Sequence, residues 1–313
     1  MSTILIFQEP MLSLGGSSLF TQNSFNSSDL SAPNTAGNSI FTNKIYIDNN
    51  WSETVLNYDW CSGLGTLNDP YIIENVIFKN LNFGNCIEIE NSKEYFTIKN
   101  CTIKFTGLKW SDAGIRLYNV SNGKIVENII NSNLGYGIKL NQSTNISIQM
   151  NLINNNSYMG IGLENCNNSM IYSNDCNSNG FSQNSGFGIS LIYSNNNDIN
   201  MNKASKNKVA GYLLLNSSFN NISQNIGNNN QFGIYLANSS NNNQIISNTF
   251  IGNNYCYQED DTCKDNIFSN IDCGPGDIGV IVLIILFSAI AITTISVFII
   301  VLKRYRRSKK TKK

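Results

Sequence analysis

The feature that most constrains this chain is a short motif that recurs six times at a nearly fixed spacing. The motif is a glycine, an aliphatic or aromatic residue, any residue and a leucine. It begins at Gly114, Gly137, Gly160, Gly188, Gly211 and Gly233, so the intervals are 23, 23, 28, 23 and 22 residues. A period in this range is typical of stacked repeats, because one such unit cannot bury its apolar face without its neighbours.

Other positions recur with the same period. Eleven or twelve residues after each glycine stands an isoleucine, at Ile125, Ile148, Ile171, Ile199, Ile222 and Ile245. One asparagine column is Asn128, Asn151, Asn174, Asn202, Asn225 and Asn248, and another is Asn133, Asn156, Asn179, Asn207, Asn230 and Asn253. Between these columns the residues alternate between apolar and polar over two to four positions, which indicates short strands separated by turns.

Three short strands and three turns in each period predict one coil of an all-β, right-handed parallel β-helix. About eight such coils fit between the ends of the repeat region. Two columns are expected to stack as core ladders, namely Ile115, Ile138, Ile161, Ile189, Tyr212 and Ile234, and Leu117, Leu140, Leu163, Leu191, Leu214 and Leu236. Leucine-rich repeats share the period, but they need several leucines and a helical segment in each unit.

Two further expectations follow from the repeat pattern. Asparagine tolerates left-handed backbone conformations at corners, and a column of amides can form hydrogen bonds from coil to coil. Tyr136, Phe187 and Phe232 precede their glycines and have the parity of the core positions. We therefore expect these three aromatic side chains in the core.

The period predicts the boundaries of the domains. Cys86 fills the first glycine slot, and residues 71–83 form a degenerate coil before it. We divide the chain into an N-terminal segment and cap (1–60), the β-helix (61–253), a cysteine-containing cap and linker (254–277), a transmembrane helix (278–302) and a basic tail (303–313).

The C-terminal part of the sequence predicts a membrane anchor. Residues 278–302 are 25 consecutive uncharged, mostly aliphatic positions, enough to span a bilayer, and eight basic residues follow them. The positive-inside rule then places the C-terminus in the cytoplasm and the β-helix outside a cell membrane crossed once. Removing these eight from the 21 basic residues leaves 13 against 21 acidic ones, so the exterior part has a net charge of −8. A buried core helix is the alternative interpretation of residues 278–302.

The segment from Gly63 to Glu74, GLGTLNDPYIIE, followed by the Gly-Ile-x-Leu and asparagine-rich coils, resembles the NosD-like, pectin-lyase-like β-helix family. The resemblance is closest to membrane-anchored archaeal surface proteins with this repeat, which share cysteines in the pattern of Cys256, Cys263 and Cys273. The fold it implies is specific. The function is not, because such repeats occur in polysaccharide lyases and hydrolases, copper-delivery proteins and adhesins.

In enzymes of the family, the sugar chain lies on the outside of the sheet that begins at the repeated glycine. The outward positions there include Glu88, Glu90 and Arg116, which are our candidates for catalysis. Glycosidases need two carboxyl groups, and the resembled lyases use acid-bound calcium with a basic proton acceptor. A solvated ladder of ion pairs is the alternative for these three residues.

Candidates for ligand binding lie on the same face and in two loops beside it. Tyr118, Lys139 and Glu164 are outward positions of the sheet. Two coils carry about five extra residues before the sheet, which predicts projecting loops over 104–113 and 175–187. Trp110 and Asp112 in the first loop and Phe181 in the second could stack on a sugar ring and bond to it. Tolerated insertions are the alternative.

Further along the face the outward residues become apolar, at Ile192, Leu213, Leu215 and Tyr235. These side chains predict a docking patch for another protein, or a surface that the 1–60 segment covers.

The composition argues against a metal site or a cofactor. The chain has no histidine, the commonest copper or zinc ligand. We therefore expect disulfides rather than metal thiolates, with candidates Cys256, Cys263 and Cys273 at one end and Cys61, Cys86 and Cys101 at the other. Cys166 and Cys176 are expected to be core thiols.

Together these patterns favour a membrane-anchored extracellular β-helix that recognises or adheres to glycans or other surface proteins. The alternative is a polysaccharide lyase or glycoside hydrolase that acts on the outer face of the first sheet. The expected partners are the lipid bilayer, through 278–302, and glycans or proteins, but not nucleic acid.

Overall fold

The protein is described by a computed structural model that places residues 39–41, 43–81, 84–181 and 186–274. The chain divides into two units, Met1–Pro275 and Gly276–Lys313. The second unit lies entirely outside the described residues, as do the predicted transmembrane helix (278–302) and basic tail (303–313).

The described residues form three sheets. Sheet 1 has nine strands, Ile45–Asp48, Ile87–Glu90, Ala113–Tyr118, Tyr136–Asn141, Met159–Glu164, Phe187–Ile192, Ala210–Leu215, Phe232–Ala237 and Tyr255–Glu259. Sheet 2 has ten strands, Cys61–Ser62, Tyr71–Glu74, Phe96–Lys99, Gly123–Val126, Ser147–Gln149, Met170–Tyr172, Asp198–Asn200, Asn221–Ser223, Gln244–Ile246 and Ile267–Ser269. Sheet 3 has four strands, Ser39–Phe41, Val76–Leu81, Thr102–Thr106 and Ile129–Asn131.

Successive coils stack by parallel pairing in all three sheets. Ile138 lies between Ile115 and Ile161 in sheet 1, for example, and isolated bridges such as Leu152 to Asp175 continue sheet 3. Cys61–Ser62 differs, because it pairs antiparallel with Tyr71–Glu74. The predicted all-β parallel helix of about eight coils is therefore confirmed.

The predicted isoleucine and leucine ladders fill the interior of the coils. Ile138, Ile161 and Ile189 have no exposed surface, and Leu163 is 1% exposed. Each ladder residue packs against its counterparts in the coils above and below, because the parallel register repeats without a shift. Burial of these columns supplies the main hydrophobic stabilisation of the fold.

The asparagine columns also form ladders, and a third one consists of Asn197, Asn220, Asn243 and Asn266. Asn151 Nδ2 donates to Asn174 Oδ1 at 2.9 Å, and the same oxygen accepts the backbone N–H of Asn151 at 3.0 Å. The expected left-handed conformation falls one residue earlier, for example at Met150 (φ 51°) and Ser173 (φ 55°). The ladder asparagines are thus selected for their inward amides, while the preceding residue turns the corner.

The expectation that Tyr136, Phe187 and Phe232 lie in the core of the coils was wrong. They are buried, but in a second apolar cluster with Ala113, Met159, Ala210 and Leu213. The repeated glycine explains the difference. A Cβ on Gly137 would lie 2.2 Å from Ile153 in the core, so Gly137 and Ile138 both point inward. The alternation of inward and outward side chains along the strand is therefore interrupted at the glycine, and the residue before it points outward.

A short helix, Trp51–Asn57, closes the N-terminal end of the core. Trp51 is 1% exposed, stacks on Tyr71 at 4.9 Å and donates from Nε1 to Ser92 Oγ at 2.8 Å. Pairing of Ile45–Asp48 with Ile87–Glu90 extends sheet 1 ahead of residue 61, where the sequence analysis placed the start of the β-helix. Seven residues are too few to show helical periodicity, so the sequence analysis missed this cap.

The C-terminal end continues past residue 253. Tyr255–Glu259 and Ile267–Ser269 pair with the preceding coil, and a disulfide joins Cys256 to Cys273. Cys263 is a partly exposed free thiol, and the other five cysteines, at positions 61, 86, 101, 166 and 176, are buried. No helix among the described residues is long and apolar enough to cross a membrane.

Candidate functional site

The outer face of sheet 1 carries two rows of side chains with the register that the repeat predicts. Glu88 pairs with Arg116, Arg116 with Lys139, and the row continues through Gly162, Ser190, Leu213 and Tyr235. The second row contains Glu90, Tyr118, Asn141, Glu164, Ile192, Leu215 and Ala237. The face therefore changes along the coils from charged to apolar.

The charged end is an ion-pair cluster of Lys44, Glu88, Glu90 and Arg116. Arg116 Nη1 donates to Glu88 Oε1 at 2.6 Å and also to Glu90 Oε1. Lys44 Nζ lies 2.8 Å from Glu88 Oε2. The structure thus brings the three candidate catalytic residues together, and it adds Lys44, which the sequence analysis did not identify because it lies in the N-terminal segment.

Two neutral groups complete this cluster. Asn85 Nδ2 donates to Glu88 Oε1 at 2.9 Å, and the Tyr46 hydroxyl donates to Glu90 Oε2 at 3.2 Å. The Arg116 guanidinium lies 5.1 Å from the Tyr118 ring centroid, within the range of a cation–π contact. Both carboxylates are therefore occupied by donors from the chain itself.

The pairing sets the protonation of the cluster. Burial alone would raise the pKa of Glu88, but the hydrogen bonds and charges of Lys44 and Arg116 outweigh it and hold the pKa below its usual value. The general acid of a glycosidase needs a raised pKa instead. Glu88 consequently remains ionised near neutral pH and is unsuited to donate a proton to a glycosidic oxygen.

Lys139 is in a different electrostatic environment. Burial lowers its pKa and the positive charge of Arg116 adds to this effect, whereas Glu164 and Asp112 oppose it. Its Nζ lies 4.0 Å from Glu164 Oε2 and 4.9 Å from the Tyr136 ring centroid. Glu164 Oε2 also accepts a hydrogen bond from Asn141 at 2.6 Å. Lys139 can therefore lose its proton more readily than a free lysine.

An aromatic platform of Trp110, Tyr158 and Tyr136 lies next to Lys139. The ring centroids of Trp110 and Tyr158 are 5.3 Å apart, and those of Tyr158 and Tyr136 are 4.9 Å apart. Trp110 is 56% exposed, whereas Tyr136 is buried. A Cβ on Gly162 would lie 2.6 Å from the Tyr136 ring, so this glycine makes room for the platform.

The loop over 104–113 is held close to the face. A Cβ on Gly135 would lie 2.0 Å from the backbone oxygen of Asp112, so only glycine permits this approach. Asp112 Oδ2 accepts the backbone N–H groups of Leu108 and Lys109 at 2.8 and 2.9 Å. Asp112 therefore shapes the loop that presents Trp110, a role that the sequence analysis did not assign.

The second loop is described only in part, because residues 182–185 lie outside the described chain. Phe181 is 63% exposed. Asp175, at the start of this loop, is buried, and its Oδ2 lies 3.5 Å from Lys203 Nζ.

The predicted apolar patch is on the outer face, but it is less open than expected. Leu213 is 1% exposed because it packs in the second apolar cluster with Phe187 and Phe232. Ile192, Leu215 and Tyr235 are half-buried. Strand Ile45–Asp48 pairs with the first coil, and helix Trp51–Asn57 closes the core at the same N-terminal end, so this part of the 1–60 segment does not cover the patch.

A calcium site of the kind implied by the lyase resemblance does not fit Glu88 and Glu90, because their oxygens accept bonds from Arg116, Lys44, Asn85 and Tyr46. Within the described ranges there is no group of three or more acidic, cysteine or histidine side chains that could hold a metal ion.

Sequence comparison identifies the fold family. The family model described as a right-handed β-helix region matches residues 59–180 and 113–272, which together span more than half of the chain. No curated protein sequence matches the chain significantly.

Solved structures share the fold at low identity. The A-module of mannuronan C-5 epimerase AlgE6 from Azotobacter vinelandii is 13% identical, with a TM-score of 0.49 over 63% of this chain and 64% of that module. Pectate lyase Pel9A is 12% identical, with a TM-score of 0.48 over 74% of this chain and 71% of the lyase. The periplasmic alginate epimerase AlgG is 16% identical, with a TM-score of 0.41 over 69% of this chain and 66% of the epimerase. The chain thus spans less than two thirds of the AlgE6 module, and the likeness concerns the fold alone.

Proposed function

The chain belongs to the family of right-handed β-helix proteins, and on that premise we propose that it binds an extended polysaccharide on the outer face of sheet 1. The observation that carries the proposal is the aromatic platform beside Lys139. Its outermost ring, Trp110, is 56% exposed and is supported from behind by Tyr158 and Tyr136.

The chemistry of the platform suits a sugar ring. The apolar face of a pyranose stacks on an indole, which contributes about 0.5–1.5 kcal/mol beyond the buried area. Lys139 and Asn141, half-buried next to the platform, offer donors to sugar hydroxyls. The ion-pair cluster supports binding rather than acid catalysis, because Glu88 is held ionised by Lys44 and Arg116. Recognition or adhesion is the role that we infer from this arrangement.

A second candidate function is polysaccharide cleavage by β-elimination, and Lys139 is the observation that favours it. An amine with a lowered pKa can take the C5 proton of a uronic acid unit. The electron pair of that C–H bond forms the C4–C5 double bond, the C4–O bond breaks, and the leaving oxygen takes a proton from water. The solved structures that share the fold include a pectate lyase and alginate epimerases, so the comparisons are nearer to this enzyme alternative than to adhesion.

One experiment compares the two functions. The full chain, purified in mild detergent, is incubated with neutral and uronic-acid polysaccharides, and both retention and the release of unsaturated ends are measured. We expect retention without product. Unsaturated product that disappears in Lys139→Met would replace binding with the lyase, whereas the absence of both retention and product with every polymer would exclude both functions.

Membrane anchoring is a further part of the proposal, supported by the apolar run over 278–302 and the eight basic residues after it. Protease added to intact cells should remove the β-helix and spare the tail. Digestion of the tail with the β-helix intact would reverse this topology.

A further inference from the structure

A groove of about 530 Å³ lies beside the ion-pair cluster at the N-terminal end of sheet 1. It shares Lys44 and Tyr46 with that cluster, since Lys44 contacts Glu88 and Tyr46 contacts Glu90. Most of the remaining lining comes from strand Ser39–Phe41, helix Trp51–Asn57 and the three residues after the helix. A volume of this size is typical of small-molecule sites, and the groove adjoins the face that we propose as the polysaccharide site.

One wall of the groove is aromatic. The rings of Tyr58 and Trp60 stack with centroids 5.0 Å apart and an interplanar angle of 27°. Phe41 meets Trp60 edge-on at 5.8 Å. Tyr58 is 53% exposed, so this wall offers a supported aromatic surface to a ligand, as the platform does on the other side of the cluster.

The unpaired charged side chains of the groove are acidic. Glu53 and Asp59 are exposed, and within the described residues their carboxylates have no hydrogen-bond or ion-pair partner. Lys44 is the basic residue of the lining, and its charge is paired with Glu88. The groove is therefore acidic, which favours a ligand rich in hydroxyl donors and disfavours a carboxylate.

We propose that this N-terminal groove binds a non-acidic hexose ring, which stacks on Tyr58 and Trp60 and donates hydroxyl protons to Glu53 and Asp59. The inference rests on the proposed function, because the hexose would belong to the polysaccharide bound on the adjoining face. It also narrows the ligand class to neutral or N-acetylated polymers at this end.

The chain's three tryptophans, Trp51, Trp60 and Trp110, make the groove testable by fluorescence. In full-length Trp110→Phe, Trp51 is buried and Trp60 reports on the groove. Cellotetraose or N-acetylated chitotetraose should change its emission saturably, and tetragalacturonate should not. Tyr58→Ala in this background should weaken binding about two- to tenfold. Leu56→Ala, on the helix that directly precedes Tyr58 but 85% exposed and outside the lining, should leave binding unchanged.

The inference is overturned if neither neutral tetrasaccharide alters the emission of Trp110→Phe, or if tetragalacturonate alters it equally. The reciprocal variant, Trp60→Phe, separates this failure from that of the proposed function, because Trp110 then reports on the platform. A response in Trp60→Phe alone would retain the platform and reject the groove. A response in Trp110→Phe alone would retain the groove as a sugar site and reject the platform.

Discussion

At the scale of single residues, the pairing of each charge on the outer face of sheet 1 determines its chemistry. Glu88 and Lys139 lie two coils apart in the same row. Glu88 accepts from two cations, and its pKa is lowered despite burial. Lys139 Nζ lies 4.0 Å from Glu164 Oε2, and burial lowers the pKa of Lys139 although Glu164 and Asp112 oppose this effect. The acid is thus held in its charged form, whereas the base is shifted toward its neutral form.

The pairing of Glu88 predicts a dependence of stability on pH. Because its pKa is lower in the folded chain than in the unfolded chain, where it is about 4.3, the unfolded chain binds the proton more readily. The stabilisation is complete above the unfolded value and is lost as pH falls through the folded value. The free energy of unfolding, measured with denaturant between about pH 6 and pH 3, should fall more steeply with decreasing pH in the wild type than in Glu88→Gln. Parallel curves for the two proteins would contradict this pairing.

At the scale of secondary-structure elements, the alternation within each sheet 1 strand separates core from surface. Leu163 is 1% exposed and lies between Leu140 and Leu191, whereas the side chain of Glu164 is 44% exposed. Leu163→Asp would bury an unpaired charge and should destabilise the fold by about 3–5 kcal/mol. Glu164→Ala, its neighbour, should change the free energy of unfolding by less than about 1 kcal/mol. Equal midpoints in denaturant would show that the two sides are assigned incorrectly.

The same alternation explains which elements the sequence predicts. The Gly-Ile-x-Leu motif identifies the strand, its inward ladder and the outward row, because the register repeats in every coil. It fails at the residue before the glycine, since two consecutive inward positions move Tyr136 onto the outer face. Tyr158, which links Tyr136 to Trp110, lies in a turn outside the repeated motif, so the repeat does not predict its position. The ion-pair ladder was foreseen, but the aromatic platform was not.

At the scale of the whole molecule, repetition determines the middle of the chain and leaves its ends to irregular structure. The N-terminal end is closed by Trp51 on a seven-residue helix, and the groove exists because this helix packs beside the first strand of sheet 1. No periodic pattern signals that arrangement, because end coils are atypical in any solenoid. The long middle therefore provides the rigid face, and we infer that the added loop and cap provide its recognition chemistry.

The central claim is that the outer face of sheet 1 binds polysaccharide through Trp110. Its most direct test is affinity electrophoresis of the full chain in native gels that contain a polymer retained by the wild type. Phe219→Ala serves as the matched control, because Phe219 is 61% exposed, against 56% for Trp110, and lies in a corner turn of a later coil. We expect the polymer to retard Trp110→Ala clearly less than the wild type, while Phe219→Ala remains retarded like the wild type. Full retardation of Trp110→Ala, or an equal loss in both variants, would contradict the account.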